Sequence, residues 1–198
     1  MSAPVAPIAR DPLPFAPFEK GRAATIHRRR LPHWQQEGTT YFVTFRLADA
    51  LPIPVLRQWQ AERENWLRQN PKPWTVGKEQ EFHELFHSKM ESHLDQNHGA
   101  CVLRDRNVGE IVEGLLRHFD GQRYQLGSFV IMPNHVHVLV RPLLNHSLSE
   151  ILHSWKSFSA NQANATLKRS GTFWQDESFD HIIRDEAQME RFERYIVE

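Results

Sequence analysis

The sequence predicts an α+β fold in which helices pack on one antiparallel sheet. Strand-like apolar runs occupy residues 41–47, 123–131 and 135–141, and amphipathic helical patterns occupy residues 107–119, 147–167 and 185–198. The last two strand runs are separated only by Met-Pro-Asn, so we expect them to pair as an antiparallel hairpin. Strands that pair locally and alternate with amphipathic helices are typical of the α+β class.

Capping signals fix where the helices begin. The first helix has Glu110 at the capping-box position and Gly121 just beyond its end, and Ser147 with Glu150 forms a capping box for the second. Asp185 is a good N-cap for the third helix, with Gln188 at the capping-box position. Each helix also carries an apolar stripe: Val108, Ile111, Val112, Leu115, Leu116 and Phe119; Leu148, Ile151, Leu152, Trp155 and Phe158; Met189, Phe192, Tyr195 and Ile196. Together with the strands, these helices indicate a ferredoxin-like or RRM-like architecture.

Length and composition favour one domain with a tail. The chain has 198 residues, of which 40% are hydrophobic, enough for one good core. We expect a flexible Pro/Ala-rich tail at 1–18 and a single domain at 19–198, with a helical insertion at about 54–101. One cysteine, Cys101, excludes an intramolecular disulfide, and no run is apolar enough for a membrane span or signal peptide. A cytoplasmic location is therefore expected.

Two histidines stand two residues apart in the last strand run. Alternation places His135 and His137 on one face, with their Cα atoms about 7 Å apart, while Val136, Val138 and Val140 share the opposite face. Two imidazoles in this arrangement can converge on one divalent ion from a solvated cleft. The alternative is an ordinary pair of half-exposed strand histidines.

Tyr195 is the tyrosine best placed for chemistry beside this pair. The chain has three tyrosines, and Tyr41 and Tyr124 both fall within strand runs. The helical spacing of Tyr195 with Met189 and Phe192 predicts that it faces inward. The alternative is an ordinary core aromatic.

Basic residues cluster before the first strand run, although the formal net charge is zero. The cluster consists of Lys20, Arg22, His27, Arg28, Arg29 and Arg30. It predicts either a solvated surface or a site that holds DNA phosphates, with Lys156 and Arg184 as further candidates. Nucleotide-binding glycine motifs, a P-loop and a nucleophile-elbow serine are absent from the sequence, which argues against those enzyme classes.

Several ordered motifs resemble the single-tyrosine HUH transposases, and within them the REP-associated tyrosine transposases. They are, in chain order, Arg30-Leu-Pro-His-Trp, Tyr41-Phe-Val-Thr-Phe-Arg, Met132-Pro-Asn-His-Val-His137, Trp155-Lys-Ser, Trp174-Gln, Phe179-Asp-His-Ile-Ile-Arg-Asp-Glu186 and Tyr195-Ile. The resemblance extends from about Arg30 to Glu198 and implies an HUH domain of ferredoxin-like fold.

The resemblance also implies a mechanism. Tyr195 would attack a DNA phosphodiester to form a 5′-phosphotyrosine, while His135 and His137 would hold Mg²⁺ or Mn²⁺. Single-stranded or hairpin DNA, with short palindromic repeats, would be the substrate, and a homodimer the assembly. The setting would be the bacterial nucleoid.

The sequence departs from the family pattern after Tyr195-Ile, where relatives usually place Asn-Pro and a third polar metal ligand. We expect the chain to be truncated at Glu198, or Glu198, His181 or water to complete the metal shell. Two alternative functions remain open on the sequence alone. One is a DNA-hairpin-binding protein that does not cut, and the other is a metal-dependent phosphodiesterase in which water attacks.

Overall fold

The computed structural model describes residues 13, 15–16, 25–28, 32–36, 38–71 and 73–198. The chain divides into two compact units. One comprises Met1–Ala48 with Val102–Glu198, and the other comprises Asp49–Cys101. None of the helices in the described part of the chain is both long and apolar enough to cross a membrane.

The second unit is helical. Its helices are α1 (Ile53–Gln69), α2 (Val76–His83) and α3 (Lys89–Leu94), and a π-helical segment, Glu84–Ser88, lies between α2 and α3. Half-buried aromatic rings cluster in this unit. Trp66 lies 5.1 Å from Trp74 and 5.2 Å from Phe82 between ring centroids, close enough for favourable ring contacts.

The first unit contains a four-stranded antiparallel sheet. Its strands are β3 (Tyr41–Arg46), β4 (Tyr124–Ile131), β5 (His135–Pro142) and β6 (Phe179–Ile182), in the spatial order β4-β5-β3-β6. A separate two-stranded ribbon pairs β1 (Thr25–Arg28) with β2 (Pro32–Gln35). The helices of this unit are α4 (Arg106–His118), α5 (Leu148–Thr166) and α6 (Glu186–Val197). The βαββαβ succession and strand order are ferredoxin-like, so the predicted fold class is confirmed.

One face of the sheet packs against α4 and α5. The Tyr124 hydroxyl donates to the carbonyl of Leu116 on α4 at 2.8 Å and accepts from Trp155 Nε1 on α5 at 3.0 Å. The side chains of Phe45 and Val138 lie on this same face and are fully buried. The valine face predicted from the sequence is therefore the face that these two helices cover.

The opposite face of the sheet carries α6. Phe192 stacks on Phe42 with 4.3 Å between ring centroids, and Met189 and Ile196 belong to the same buried cluster. Burial of these side chains, each worth about 1.5–3 kcal/mol, holds the helix on the sheet. Helix α6 thus covers part of the face of β5 that carries the two histidines.

The helix starts agree with the capping signals at two of three places. Ser147 and Glu150 form the predicted capping box, and the Asp185 carboxylate accepts from the Gln188 amide at 2.8 Å. The start of α4 differs, because Asp105 caps it by accepting from the amides of Asn107 and Val108. Glu110 therefore makes no capping box and instead pairs with Arg106.

The segment expected to be a flexible tail contains one core residue. Most of residues 1–18 lie outside the described residues, but Leu13 is buried beside Leu139 and α6, contrary to that expectation. Its neighbour in the sheet is Gly127, at a point where the β4–β5 register shifts between Leu126 and Phe129. A Cβ atom on Gly127 would lie 2.7 Å from Leu13 Cδ1 and 2.9 Å from Leu139 Cβ.

Gly127→Ala should therefore lower the free energy of unfolding by about 1–3 kcal/mol, because Leu139 Cβ is attached directly to the β5 backbone and cannot move aside as the end of a side chain can. Gly114→Ala is the matched control. Gly114 lies in α4 with nothing within 4 Å of its Cβ position, so the change should be neutral or stabilising by up to about 1 kcal/mol. Urea denaturation of both variants measures the difference, and equal stabilities would contradict the packing described for Leu13.

Candidate metal and nucleophile site

The two histidines of β5 meet at their ring nitrogens. Antiparallel pairing sets His135 opposite Arg46 and His137 opposite Thr44, with all four residues on the α6 face of the sheet. The Nε2 atoms of His135 and His137 are 2.8 Å apart. The structure therefore brings both imidazoles to one point, with their metal-binding atoms facing each other.

Both histidines are buried, so the predicted solvated cleft is wrong. His135 is 0% exposed and His137 is 2% exposed. The Phe42 ring stacks on His137 at 5.4 Å with an interplanar angle of 17°. The stack that fixes α6 on the sheet, Phe192 on Phe42, thus continues into the His137 ring, which alternation in β5 alone could not predict.

Neighbouring polar groups orient the two rings through their Nδ1 atoms. The Asn134 Oδ1 atom accepts from His135 Nδ1 at 2.7 Å, and Thr44 Oγ1 lies 2.8 Å from His137 Nδ1. Hydrogen bonds of this kind set which ring nitrogen carries the proton and which offers a lone pair. Both Nε2 atoms are therefore directed away from these partners and toward each other.

Burial keeps the histidines neutral. Desolvation lowers the pKa of His137 to about 3. Desolvation also lowers the pKa of His135 well below its ordinary value, and the charges of His137 and Arg46 act in the same direction. A neutral imidazole is the form that binds a metal ion.

The pair fits a divalent ion. Metal–nitrogen bonds are about 2.1 Å long, so two adjacent ligands at roughly 90° on one ion lie about 3 Å apart. The observed 2.8 Å between the Nε2 atoms matches that spacing closely. The chemistry of the donor set and its spacing are both compatible with a divalent metal.

Tyr195 lies beside the pair on α6. Its ring is 5.2 Å from the His137 ring and 6.1 Å from Phe42, both in edge-on contacts. The residue is 44% exposed, so Tyr195 faces inward only in part. On α6, Tyr195 lies next to the buried stripe formed by Met189, Phe192 and Ile196 and is not part of it.

The other two tyrosines are structural. Tyr41 and Tyr124 are each 1% exposed and hydrogen bonded to main-chain carbonyls, and desolvation raises the pKa of both phenols. Raising a phenol's pKa disfavours the phenolate that would attack an electrophile. Of the three tyrosines, Tyr195 alone combines contact with the histidines and access to solvent.

The two candidates for an additional ligand lie elsewhere. His181 on β6 is opposite Phe42 rather than beside His137, and its Nε2 atom is 3.2 Å from Gln188 Oε1 on α6. The same Gln188 oxygen accepts from the Arg184 amide. His181 therefore helps to position α6, while Glu198 lies exposed after the helix.

The candidate DNA-binding residues have different positions. Arg28 ends β1, but its side chain and the whole of Arg29 and Arg30 lie outside the described residues. Lys156 Nζ donates to the carbonyl of Asp176 at 2.7 Å, so this side chain ties α5 to the 171–178 segment. Arg184 is half-buried in the turn before α6.

Three residues of the site were not predicted from sequence. Asn134, Thr44 and Arg46 are all buried and lie next to the histidines. A polar residue at Thr44 and another at Arg46 within the run Tyr-Phe-Val-Thr-Phe-Arg share one face, which is a signal that alternation could have revealed. Their placement opposite the histidines required the register of β3 with β5.

Residues 100–198, half of the chain, match the family model described as Transposase IS200 like. The chain therefore belongs to the IS200-like transposase family. The resemblance indicated by its motifs is confirmed, and the family assigns it a role as a transposase in DNA recombination. No curated protein matches the sequence.

Solved structures similar to this chain include the following two. One is a REP-associated tyrosine transposase bound to a REP hairpin, with 13% identity over 87% of this chain and 70% of that chain and a TM-score of 0.46. The other is a protein of Deinococcus radiodurans R1 assigned as a transposase, with 14% identity over 79% of this chain and 87% of that chain and a TM-score of 0.41.

The metal-free protein should lose stability as the pH falls below about 6.5. The unfolded chain then binds protons at both histidines, whereas the folded state keeps His137 neutral down to a pKa of about 3. Each proton that only the unfolded chain binds lowers the free energy of unfolding by about 1.4 kcal/mol for every pH unit of acidification. His137→Gln should reduce the slope of unfolding free energy against pH between pH 6 and pH 4 by about that amount.

Urea denaturation at several pH values, with chelator present, measures this slope. His118→Gln, which makes the same replacement at an exposed position at the end of α4, is the control for the change of side chain itself. Parallel curves for wild type and His137→Gln would show that His137 takes up its proton in the folded state, contrary to the buried, neutral ring.

Proposed function

We propose that this transposase is a metal-dependent endonuclease and strand transferase that cuts and rejoins single-stranded or hairpin DNA through Tyr195. The observation that carries the proposal is the 5.2 Å contact of the Tyr195 ring with His137 within one chain. A half-exposed nucleophile candidate and a pair of neutral metal ligands meet at this point. Membership of the IS200-like family supports the same reading.

Different residues of the chain would bind the metal, orient the metal ligands and attack the DNA. His135 and His137 would hold the ion through Nε2, and Asn134 and Thr44 keep the two rings oriented. A bound Mg²⁺ or Mn²⁺ would polarise the scissile phosphate and offset charge on the leaving oxygen. Tyr195, being 44% exposed, lies where a DNA strand can reach it.

The chemical step conserves the phosphodiester's bond energy. The Tyr195 oxygen forms a bond to phosphorus as the phosphorus–O3′ bond breaks, which leaves a 5′-phosphotyrosine and a free 3′-hydroxyl. The phenol loses its proton to solvent, and the leaving O3′ gains one from solvent. Attack of a 3′-hydroxyl on the phosphotyrosine reverses the step and rejoins the strand, so no nucleotide cofactor is consumed.

The proposed substrate is a short palindromic hairpin held partly by electrostatics. The basic segment around Arg28, Arg29 and Arg30 would contact phosphates without reading bases, as arginine–phosphate contacts generally do. A homodimer would allow two DNA ends to be handled together.

Tyr195→Phe should abolish the covalent protein–DNA adduct and strand cleavage while changing stability little, because only the nucleophilic oxygen is removed. The assay incubates the full chain with 5′- and 3′-labelled single-stranded hairpin DNA and Mn²⁺, followed by denaturing gel electrophoresis. Tyr41→Phe is the matched control. It deletes a phenol buried on the opposite face, so it should lower stability but preserve the adduct.

Three results of the wild-type assay are distinguishable. Label on the protein band that is lost in Tyr195→Phe supports the proposal. Cleavage without any protein-bound label would indicate attack by water, and retention of intact DNA would indicate a binding protein. Either of the last two results would refute the tyrosine mechanism.

Replacing Arg28, Arg29 and Arg30 together by glutamine should weaken hairpin binding and flatten its dependence on salt, because fewer counterions are released. Fluorescence anisotropy at 50–300 mM salt, roughly the range in which such effects are large, measures both quantities. A double Arg57→Gln, Arg68→Gln variant, altered on exposed positions of α1, controls for the loss of charge. If the salt slope of the triple variant equals that of wild type, the segment is a solvated surface.

A further inference from the structure

We propose that Arg191 binds a DNA phosphate next to the one that Tyr195 attacks, which makes it a substrate-binding residue of the reaction. This inference rests on the proposed function and deepens it, because it names a contact that brings the DNA strand to the nucleophile. It follows from the position of Arg191 on α6, from the aromatic contact of its guanidinium and from the other charges of the helix.

Arg191 and Tyr195 lie on the same side of α6. They are four residues apart, so Arg191 precedes Tyr195 by about 6 Å along the helix axis and is displaced by only about 40° around it. Both side chains reach solvent, whereas Phe192 is buried against the sheet. A strand that runs along this side of the helix therefore meets Arg191 one turn before it reaches Tyr195.

An aromatic contact holds the guanidinium of Arg191 near the site. Its Cζ atom lies 5.3 Å from the centroid of the Phe192 ring, within the range of a cation–π interaction. Phe192 stacks on Phe42, and the Tyr195 ring makes an edge-on contact with Phe42. Arg191 and Tyr195 thus lie beside the same stack of rings. A guanidinium that packs on a ring through its face still has N–H groups in its plane, and these match two phosphate oxygens.

The carboxylates of α6 lie mainly on the side away from Tyr195. Three of them are about 140–180° around the helix axis from it: Glu186, Glu190 and Glu193. Desolvation and the neighbouring charge of Glu190 raise the pKa of Glu193, so this edge of the helix repels a further negative charge. Glu198 is on the side of Tyr195 but lies about 10 Å beyond Arg191 along the axis. A phosphate is therefore best accommodated at the Arg191 end of the Tyr195 side.

The end of the helix favours a cation at this place. Tyr195 lies in the last turn of α6, where unpaired main-chain carbonyls give the helix about half a negative charge. This partial charge opposes a phosphate beside Tyr195, and a neighbouring cation offsets it. Arg191 has no ion-pair partner among the described residues. Arg194 lies about 100° from Tyr195, on the surface opposite the buried stripe, so it serves as the matched control.

The first test follows DNA binding at Tyr195 itself. The chain has three tyrosines, so protein labelled with 3-fluorotyrosine gives three fluorine NMR signals, and Tyr195→Phe identifies the one from Tyr195. Single-stranded hairpin DNA, added with chelator so that it is not cut, should shift this signal. Arg191→Gln should need about 10-fold more DNA for the same shift, the scale of one lost charged hydrogen bond. Arg194→Gln should titrate like wild type.

The salt dependence of binding separates a phosphate contact from a structural role. Loss of one contact should lower the slope of log affinity against log salt by about 0.7–0.9, whereas a structural defect weakens binding without changing the slope. Fluorescence anisotropy with the same hairpin measures both quantities. Arg191→Lys, which keeps the charge, should recover most of the slope. Arg194→Gln should keep the wild-type slope.

Three results would overturn the inference. They are a Tyr195 signal that DNA does not shift in wild type, an Arg191→Gln variant with wild-type affinity and slope, and an equal loss in Arg194→Gln. Failure of the proposed function appears separately, because binding with chelator requires no cleavage. If Arg191→Gln alone loses affinity and slope but wild type forms no tyrosine adduct, the phosphate contact stands and the strand-transfer chemistry fails. If the adduct forms equally fast in wild type and Arg191→Gln, the contact fails and the chemistry stands.

Discussion

The pairing of β3 with β5 is the constraint on which the site depends. It sets Thr44 opposite His137 and Arg46 opposite His135, and it brings Phe42 under α6. A shift of one residue would turn these side chains to the face covered by α4 and α5. The tight Met132–His135 turn and the covering of both faces of the sheet make such a slip costly. The polar site is therefore largely a product of strand register, with Asn134 added from the turn before β5.

Burial of two imidazoles has a cost that the surrounding groups offset. A buried ring nitrogen without a partner is unfavourable by roughly 1–3 kcal/mol. Here Asn134 and Thr44 satisfy the Nδ1 atoms, and the rings satisfy each other at Nε2. The low pKa of His137 follows from the same burial. The pair is thus organised as neutral ligands before any ion arrives, and the apolar stack on Phe42 gives it rigidity.

Much of this arrangement could be predicted from local patterns. The helix and hairpin limits, the Ser147 cap and the convergence of His135 with His137 follow from spacing and alternation, which depend only on neighbouring residues. The burial of the histidines could not be predicted, because it depends on Phe42 and α6, which are distant in sequence. The role of Thr44 and the strand β6 could not be predicted for the same reason, because their pairing partners are distant in sequence. Leu13 lies in a Pro/Ala-rich stretch whose composition gives no sign of a core contact.

On α6, the residues that pack on the sheet differ from the proposed nucleophile, and this separation has an evolutionary consequence. Met189, Phe192 and Ile196 hold the helix on the sheet, whereas the half-exposed Tyr195 contributes little to that anchoring. Selection for a folded scaffold and selection for reactivity therefore act on different side chains within two turns. A lineage can lose the phenol through a single nucleotide change and still inherit an intact domain. Under the proposed function, conversion of a mobile-element enzyme into a resident host protein would need very few mutational steps.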